Sequence, residues 1–195
     1  MQGLRKEVIN EGGQLYSIIF MKESLRLPGK HLMEICGKPM VSRIYETLRS
    51  TGLFEDVIVF SKYREISLKK VNVVRDYSSG VLIDSIISAI DIYGEFLAVG
   101  GDMPCIRNDL VTRFVKEYHD VPIAALDVTG FPQPLFAIYN RTIVEELRRY
   151  SLTEKRIYPF LQQHFLLVEL DERESAMLMS VNTEDDIILA EKCCD

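Results

Sequence analysis

Short apolar runs and stretches of helical spacing alternate along the whole chain, and few folds accommodate that pattern. "LYSIIF" (residues 15–20) is an apolar run with a single polar residue, Ser17. "KPMVSRIYETLRSTG" follows, with Met40, Ile44, Tyr45 and Leu48 at helical intervals, Pro39 in its first turn and Gly52 past its end. The runs "DVIVF", "VNVV", "FLAVGG", "PIAAL", "PLFAIY" and "FLLVEL" read as further strands. "VLIDSIISAIDIY", "NDLVTRFVKEYH", "RTIVEELRRY" and "TEDDIILAEKC" read as helices. Strands buried on both faces need helices on both faces, so the pattern predicts an α/β, single-domain, three-layer α/β/α Rossmann-like fold with a mostly parallel sheet. The domain is expected over residues 15–195. Residues 1–14, polar and containing Gly12 and Gly13, are expected to be a poorly ordered N-terminal extension.

The length, 195 residues, suits one sizeable core. No apolar run approaches the roughly 18 residues of a membrane helix, and "MQGLRKEVIN" lacks the apolar centre of a signal peptide, so a cytoplasmic protein with no membrane partner is expected. A net charge of −6 argues against a nucleic-acid partner. The four cysteines, Cys36, Cys105, Cys193 and Cys194, form no C-x-x-C pair. Free thiols in a reducing cytosol are expected, with redox activity of the adjacent Cys193 and Cys194 as the alternative.

In open α/β sheets ligands bind beyond the carboxyl ends of the strands. That rule selects residues 21–31, 76–81 and 100–106. The first loop, "MKESLRLPGKHL", carries Lys22, Ser24, Arg26, Gly29 and Lys30. Guanidinium and ammonium groups there suit phosphate oxygens, although a solvated basic turn has the same composition. The third loop, "VGGDMPCI", puts Asp102 just past a buried strand. A carboxylate so placed suits Mg²⁺; the alternative, a cap for the next helix, falls better to Asn108. In the second loop, Asp76 and Gly80 either approach a flat ligand such as a base or form an ordinary strand-to-helix turn. Thr183 and Asp186 resemble a capping box, which leaves Asn182 beside it free to face a site. His31, His119 and His164 have no metal-ligand spacing, and only His31 borders the phosphate loop.

Together these residues resemble the MobA-like nucleotidyltransferase superfamily, a nucleotide-diphospho-sugar transferase type of fold, over residues 15–192. "RLPGK" with "GKPM" is similar to CMP-Kdo synthetases. "GDMP" is similar to the superfamily's metal-binding segment. "DYSSGVLIDSIISAI", "QPLFAIY" and "VNTEDDI" resemble molybdenum cofactor guanylyltransferases. Against their pattern L-A-G-G-x-S-x-R, this chain keeps Ser24 and Arg26 but has Met21 and Lys22 in place of both glycines.

The resemblance implies transfer of an NMP, GMP from GTP being favoured, to a phosphorylated small-molecule acceptor such as molybdopterin cofactor. Arg26 and Lys30 would be catalytic with Asp102. Lys22, Ser24, Gly29, Asp76 and Gly80 would complete the nucleotide site. Asp102 and Asn182 would hold Mg²⁺, Asn182 standing where CMP-Kdo synthetases carry an Asp. Cytidylyl transfer is the alternative, and the lost glycines also suit a non-catalytic nucleotide-binding or partner-binding protein. A monomer and a homodimer are both compatible with the sequence.

Overall fold

The computed structural model describes residues 15–63, 68 and 70–194; the expected extension, residues 1–14, lies outside them. Seven strands form the main sheet. They are β1 (Tyr16–Met21), β4 (Val57–Ser61), β5 (Asn72–Arg75), β6 (Phe96–Gly100), β7 (Ile123–Leu126), β8 (Pro132–Tyr139) and β9 (Leu166–Glu169). Their order is β5-β4-β1-β6-β8-β7-β9. Every neighbouring pair is parallel except those of β8, which runs antiparallel to both β6 and β7. A small antiparallel hairpin, β2 (Glu34–Ile35) and β3 (Lys38–Pro39), follows the first loop.

The helices are α1 (Met40–Ser50), α2 (Leu82–Tyr93), α3 (Asn108–Lys116), α4 (Val144–Ser151), α5 (Tyr158–His164), α6 (Glu172–Met177) and α7 (Glu184–Glu191). They cover both faces, as the alternation predicts. On β1, Ile19 and Met21 face a core shared with α1 and α3, while Ile18 and Phe20 face a core shared with α2, α4 and α5. Successive side chains of a strand point to opposite faces, so a doubly covered strand needs apolar residues at every position. Met40, Val41, Ile44 and Leu48 of α1 share one buried stripe.

The structure adds or corrects several local features. The short hairpin β2–β3, α5 and α6 have no strong periodicity in the sequence. Asn108 does not cap α3: it is the first helical residue, Arg107 holds the cap position without a side-chain bond, and the Asn108 amide donates to Ser50 Oγ at 3.0 Å. The Thr183–Asp186 capping box on α7 is present, with bonds in both directions.

The expectation of free thiols is also corrected. All four cysteines are paired, Cys36 with Cys194 and Cys105 with Cys193, at Cα–Cα distances of 5.7 and 5.5 Å. These distances suit a disulfide. The partners lie 158 and 88 residues apart, so spacing along the chain could not reveal them.

Candidate functional site

Four strands set the site. β1 and β6 are adjacent, β4 and then β5 lie on the other side of β1, and the loops that leave their carboxyl ends line one cleft of about 490 Å³. Lys22, Ser24, Arg26, Lys30, Asp76, Gly80, Asp102 and Asn182 all border it. Gly29 does not. Its φ of 71° provides the left-handed turn into the 3₁₀ segment Lys30–Leu32, and a Cβ there would meet nothing within 4 Å. It stands directly before Lys30 and turns the chain into that residue.

Lys30 is 4% exposed. Its ammonium donates to Asp102 Oδ2 at 2.7 Å, Val181 carbonyl at 2.8 Å and Asn182 Oδ1 at 2.9 Å. Burying an ammonium is costly unless it is paired and fully bonded, and these three acceptors meet that demand. The Val181 N–H also donates to the Asp102 carbonyl at 2.8 Å, which docks the segment before α7 onto the loop after β6. Asn182 is itself fixed, its N–H donating to Asp186 Oδ2 at 2.9 Å.

The loop after β1 is anchored from beneath by buried Leu27, whose N–H donates to Ser24 Oγ at 3.2 Å. Lys22 is exposed and donates to the Gly80 carbonyl at 3.1 Å, tying the first loop to the second. Arg26 is exposed and makes no ion pair with any described residue. Met21, in the first signature-glycine position, points into the core and is 2% exposed. A Cβ on Gly101 would stand 2.8 Å from Met21 Cγ and 3.0 Å from the Phe20 carbonyl, so that glycine is what lets the two loops approach so closely.

Asp76 is 6% exposed and fully engaged. Oδ2 pairs with Lys62 Nζ at 2.9 Å and Oδ1 accepts from the Ser78 N–H at 2.8 Å. Burial alone would raise its pKa. Bonds from Ser78, Ser85 and Lys62 outweigh burial and hold the carboxyl below the ordinary aspartate range. The same Lys62 ammonium donates to the Ser78 and Ser79 carbonyls. Sequence reasoning missed Lys62, although it follows β4 directly and the carboxyl-end rule could have found it. Gly80 offers its carbonyl rather than an unusual backbone angle.

His31 borders the cleft but is only 3% exposed, and its Nδ1 lies 3.1 Å from the Tyr63 hydroxyl. Burial lowers its pKa to about 4; the Asp102 charge opposes that shift and the Lys30 charge adds to it. The imidazole is therefore neutral near pH 7. His119 and His164 lie outside the cleft lining.

Residues 23–168 match the family described as the MobA-like NTP transferase domain. The chain belongs to that nucleotidyltransferase family. A "Probable molybdenum cofactor guanylyltransferase" of Pyrococcus horikoshii is 30% identical over 129 residues, which is 60% of this chain and 64% of that protein. This chain thus matches less than two thirds of that relative's length. A "3-deoxy-manno-octulosonate cytidylyltransferase" of Coxiella burnetii is also 30% identical, over 67% of this chain and 57% of its own. Among solved structures, molybdopterin-guanine dinucleotide biosynthesis protein A from Archaeoglobus fulgidus superposes with a TM-score of 0.71 at 17% identity, covering 91% of this chain and 98% of that one. That likeness supports the same doubly covered sheet. No helix among the described residues is long and apolar enough to cross a membrane.

Proposed function

We propose that the protein transfers GMP from GTP to a phosphorylated small-molecule acceptor such as molybdopterin cofactor, releasing pyrophosphate. The observation that carries this reading is the cation arrangement of the cleft: a buried Lys30 ammonium at its floor, with exposed Lys22 and Arg26 at its rim. An acceptor phosphate oxygen attacks the α-phosphorus, the bond to the bridging oxygen of the β-phosphate breaks, and pyrophosphate leaves with both electrons of that bond. The attacking oxygen is already ionised, so the protein needs no nucleophile of its own, and positioning with charge neutralisation provides the catalysis.

Arg26 forks onto phosphate oxygens and Lys30 offers its ammonium from below. Lys22 stands where the family's second glycine stands, and exchanges the Gly80 carbonyl for a phosphate. A side chain thereby supplies what backbone amides supply in glycine-rich loops. The wall formed by Asp76, Lys62 and Gly80 faces the nucleoside. For Mg²⁺ the donors fit sparsely: Asp102 supplies a carboxylate and Asn182 an amide oxygen, both now accepting hydrogen bonds from Lys30. Mg²⁺ commonly takes one or two carboxylates and completes its shell with water and phosphate, so this pair suffices to hold it. When bound, the ion would neutralise charge on the transferring phosphates.

The second reading, cytidylyl transfer to a sugar, is favoured by "RLPGK" and by the Coxiella burnetii relative. Pyrophosphate release measured with GTP, CTP, ATP and UTP, each with and without Mg²⁺ and acceptor, decides between them. Turnover with CTP and a sugar acid, and none with GTP, would overturn the guanylyl reading.

A further inference from the structure

The two disulfides converge on the last residues of the chain. Cys194 reaches Cys36, which stands in the turn between β2 and β3, six residues after Lys30. Cys193 reaches Cys105, three residues after Asp102. The adjacent pair, just past the end of α7, thereby ties that end to both of the loops that meet at the Lys30 ammonium, while Asn182 stands just before the start of α7. We infer that Cys193 and Cys194 form a thiol-controlled tether, cut in two stages, that holds Asn182 and Val181 against Lys30 when oxidised.

Three observations carry the inference. First, α7 has few apolar anchors, buried Ala190 and half-buried Ile187. Ala190 is its one buried residue, while Ile188 and Leu189 are 61% and 46% exposed. Second, the bonds differ in access. The outer bond joins exposed Cys194 to half-buried Cys36, whereas the inner bond joins half-buried Cys193 to Cys105, which is 3% exposed. Thiol–disulfide exchange requires a thiolate to reach a sulfur, so a dissolved dithiol meets the outer bond first. Third, the inner bond has a backup. Arg43 donates to the Pro104 carbonyl at 3.0 Å and to the Cys193 carbonyl at 3.1 Å, joining the same two segments. The outer bond has no such parallel connection to Cys194 among the described residues.

The first stage balances without another reactant. A dithiol's thiolate attacks one sulfur of Cys36–Cys194, a mixed disulfide forms, and the second thiol of the reagent displaces the protein sulfur. Two electrons and two protons pass to the protein, which gains two thiols, and the reagent leaves as a cyclic disulfide. The second stage repeats this at Cys105–Cys193. Freed from Cys36, α7 holds Asn182 Oδ1 and the Val181 carbonyl less firmly against the ammonium, and the pre-organisation of the floor weakens.

The test uses the full chain, oxidised with oxidised glutathione and then titrated with dithiothreitol under native conditions. Alkylation with mass mapping should show two thiols first, on Cys36 and Cys194, and all four only at higher dithiol. Amide hydrogen exchange should quicken in residues 180–191 and 24–36 at the first stage. Cys194→Ser should reproduce that exchange pattern in oxidised protein. Four free thiols after oxidation, loss of both bonds together, or unchanged exchange when the outer bond is cut would each overturn the tether. A titration with GTP rests on the function proposed above. A rise of at least about fivefold in Kd on outer-bond reduction, about 1 kcal/mol, supports control of the site. Equal binding in both redox states overturns that control. Absence of GTP binding in either state counts against the guanylyl reading, and exchange and thiol mapping then decide the tether alone.

Discussion

The Lys30 ammonium lies 2.7 Å from the Asp102 carboxylate, a pair 72 residues apart in sequence that joins the loops after β1 and β6. It also joins two roles, because each partner suits a ligand that would separate them: Lys30 a phosphate, Asp102 a cation.

Removing one partner should therefore hurt more than removing both. Lys30→Met leaves Asp102 without its cation, and Asp102→Asn leaves the buried ammonium without its carboxylate. Each should cost about 3–5 kcal/mol of stability, the range for breaking a buried pair. The double variant should recover part of that loss. Denaturant melts of the three variants check it, and strict additivity would mean that the two groups act independently.

Arg26→Ala should leave the fold unchanged, since Arg26 is exposed and pairs with no described residue. Loss of a charge-assisted phosphate contact should lower kcat/KM by about 30–1000-fold, or about 2–4 kcal/mol. Steady-state kinetics with GTP, beside a thermal melt, separates the two effects. Wild-type turnover would remove Arg26 from the phosphate site.

Lys62→Met should loosen the second loop rather than the phosphate loop. Its ammonium holds Asp76, Ser78 and Ser79. The expected result is weaker binding of the free nucleoside with little change in binding of inorganic pyrophosphate, measured by calorimetry. Equal loss for both ligands would place Lys62 at the phosphates instead.

Stability should fall as pH drops from about 6.5 toward about 4. His31 in the folded protein titrates near 4, against an ordinary value of 6.5. Between these values the unfolded chain binds the extra proton, so acid favours unfolding. The span sets an upper limit of about 3 kcal/mol for the loss. His31→Gln should flatten this part of the pH profile of urea midpoints; an unchanged slope would assign it to other groups.

If the protein transfers GMP as proposed above, GTP should bind at least about tenfold more tightly than CTP, about 1.4 kcal/mol, because a site that hydrogen-bonds a purine edge leaves those groups unpaired with a smaller base. Calorimetric titrations in Mg²⁺ test this. Equal or tighter CTP binding would favour the cytidylyl reading.

The fold and the loops that line the cleft were legible in the sequence because they depend on local properties. Apolar runs such as "LYSIIF" report burial on both faces, and the stripe through Met40, Ile44 and Leu48 reports a helix against a sheet. Strand–helix alternation then selects the loops at the carboxyl ends of the strands, and those loops do line one cleft. What the sequence could not supply was the partners. Lys30 and Arg26 look alike on paper, but folding buries the first among three oxygen acceptors and leaves the second in solvent. Asp76 read equally as a nucleotide-site residue or as part of an ordinary turn; it borders the cleft, and both its oxygens are held by Lys62 and Ser78. Cys193 and Cys194 read as thiols, and the tertiary structure placed each beside a cysteine far away in the chain. Periodicity is set by neighbours a few residues apart. Pairing of charges and sulfurs is set by which loops the strand order brings together, and that order is a property of the whole sheet.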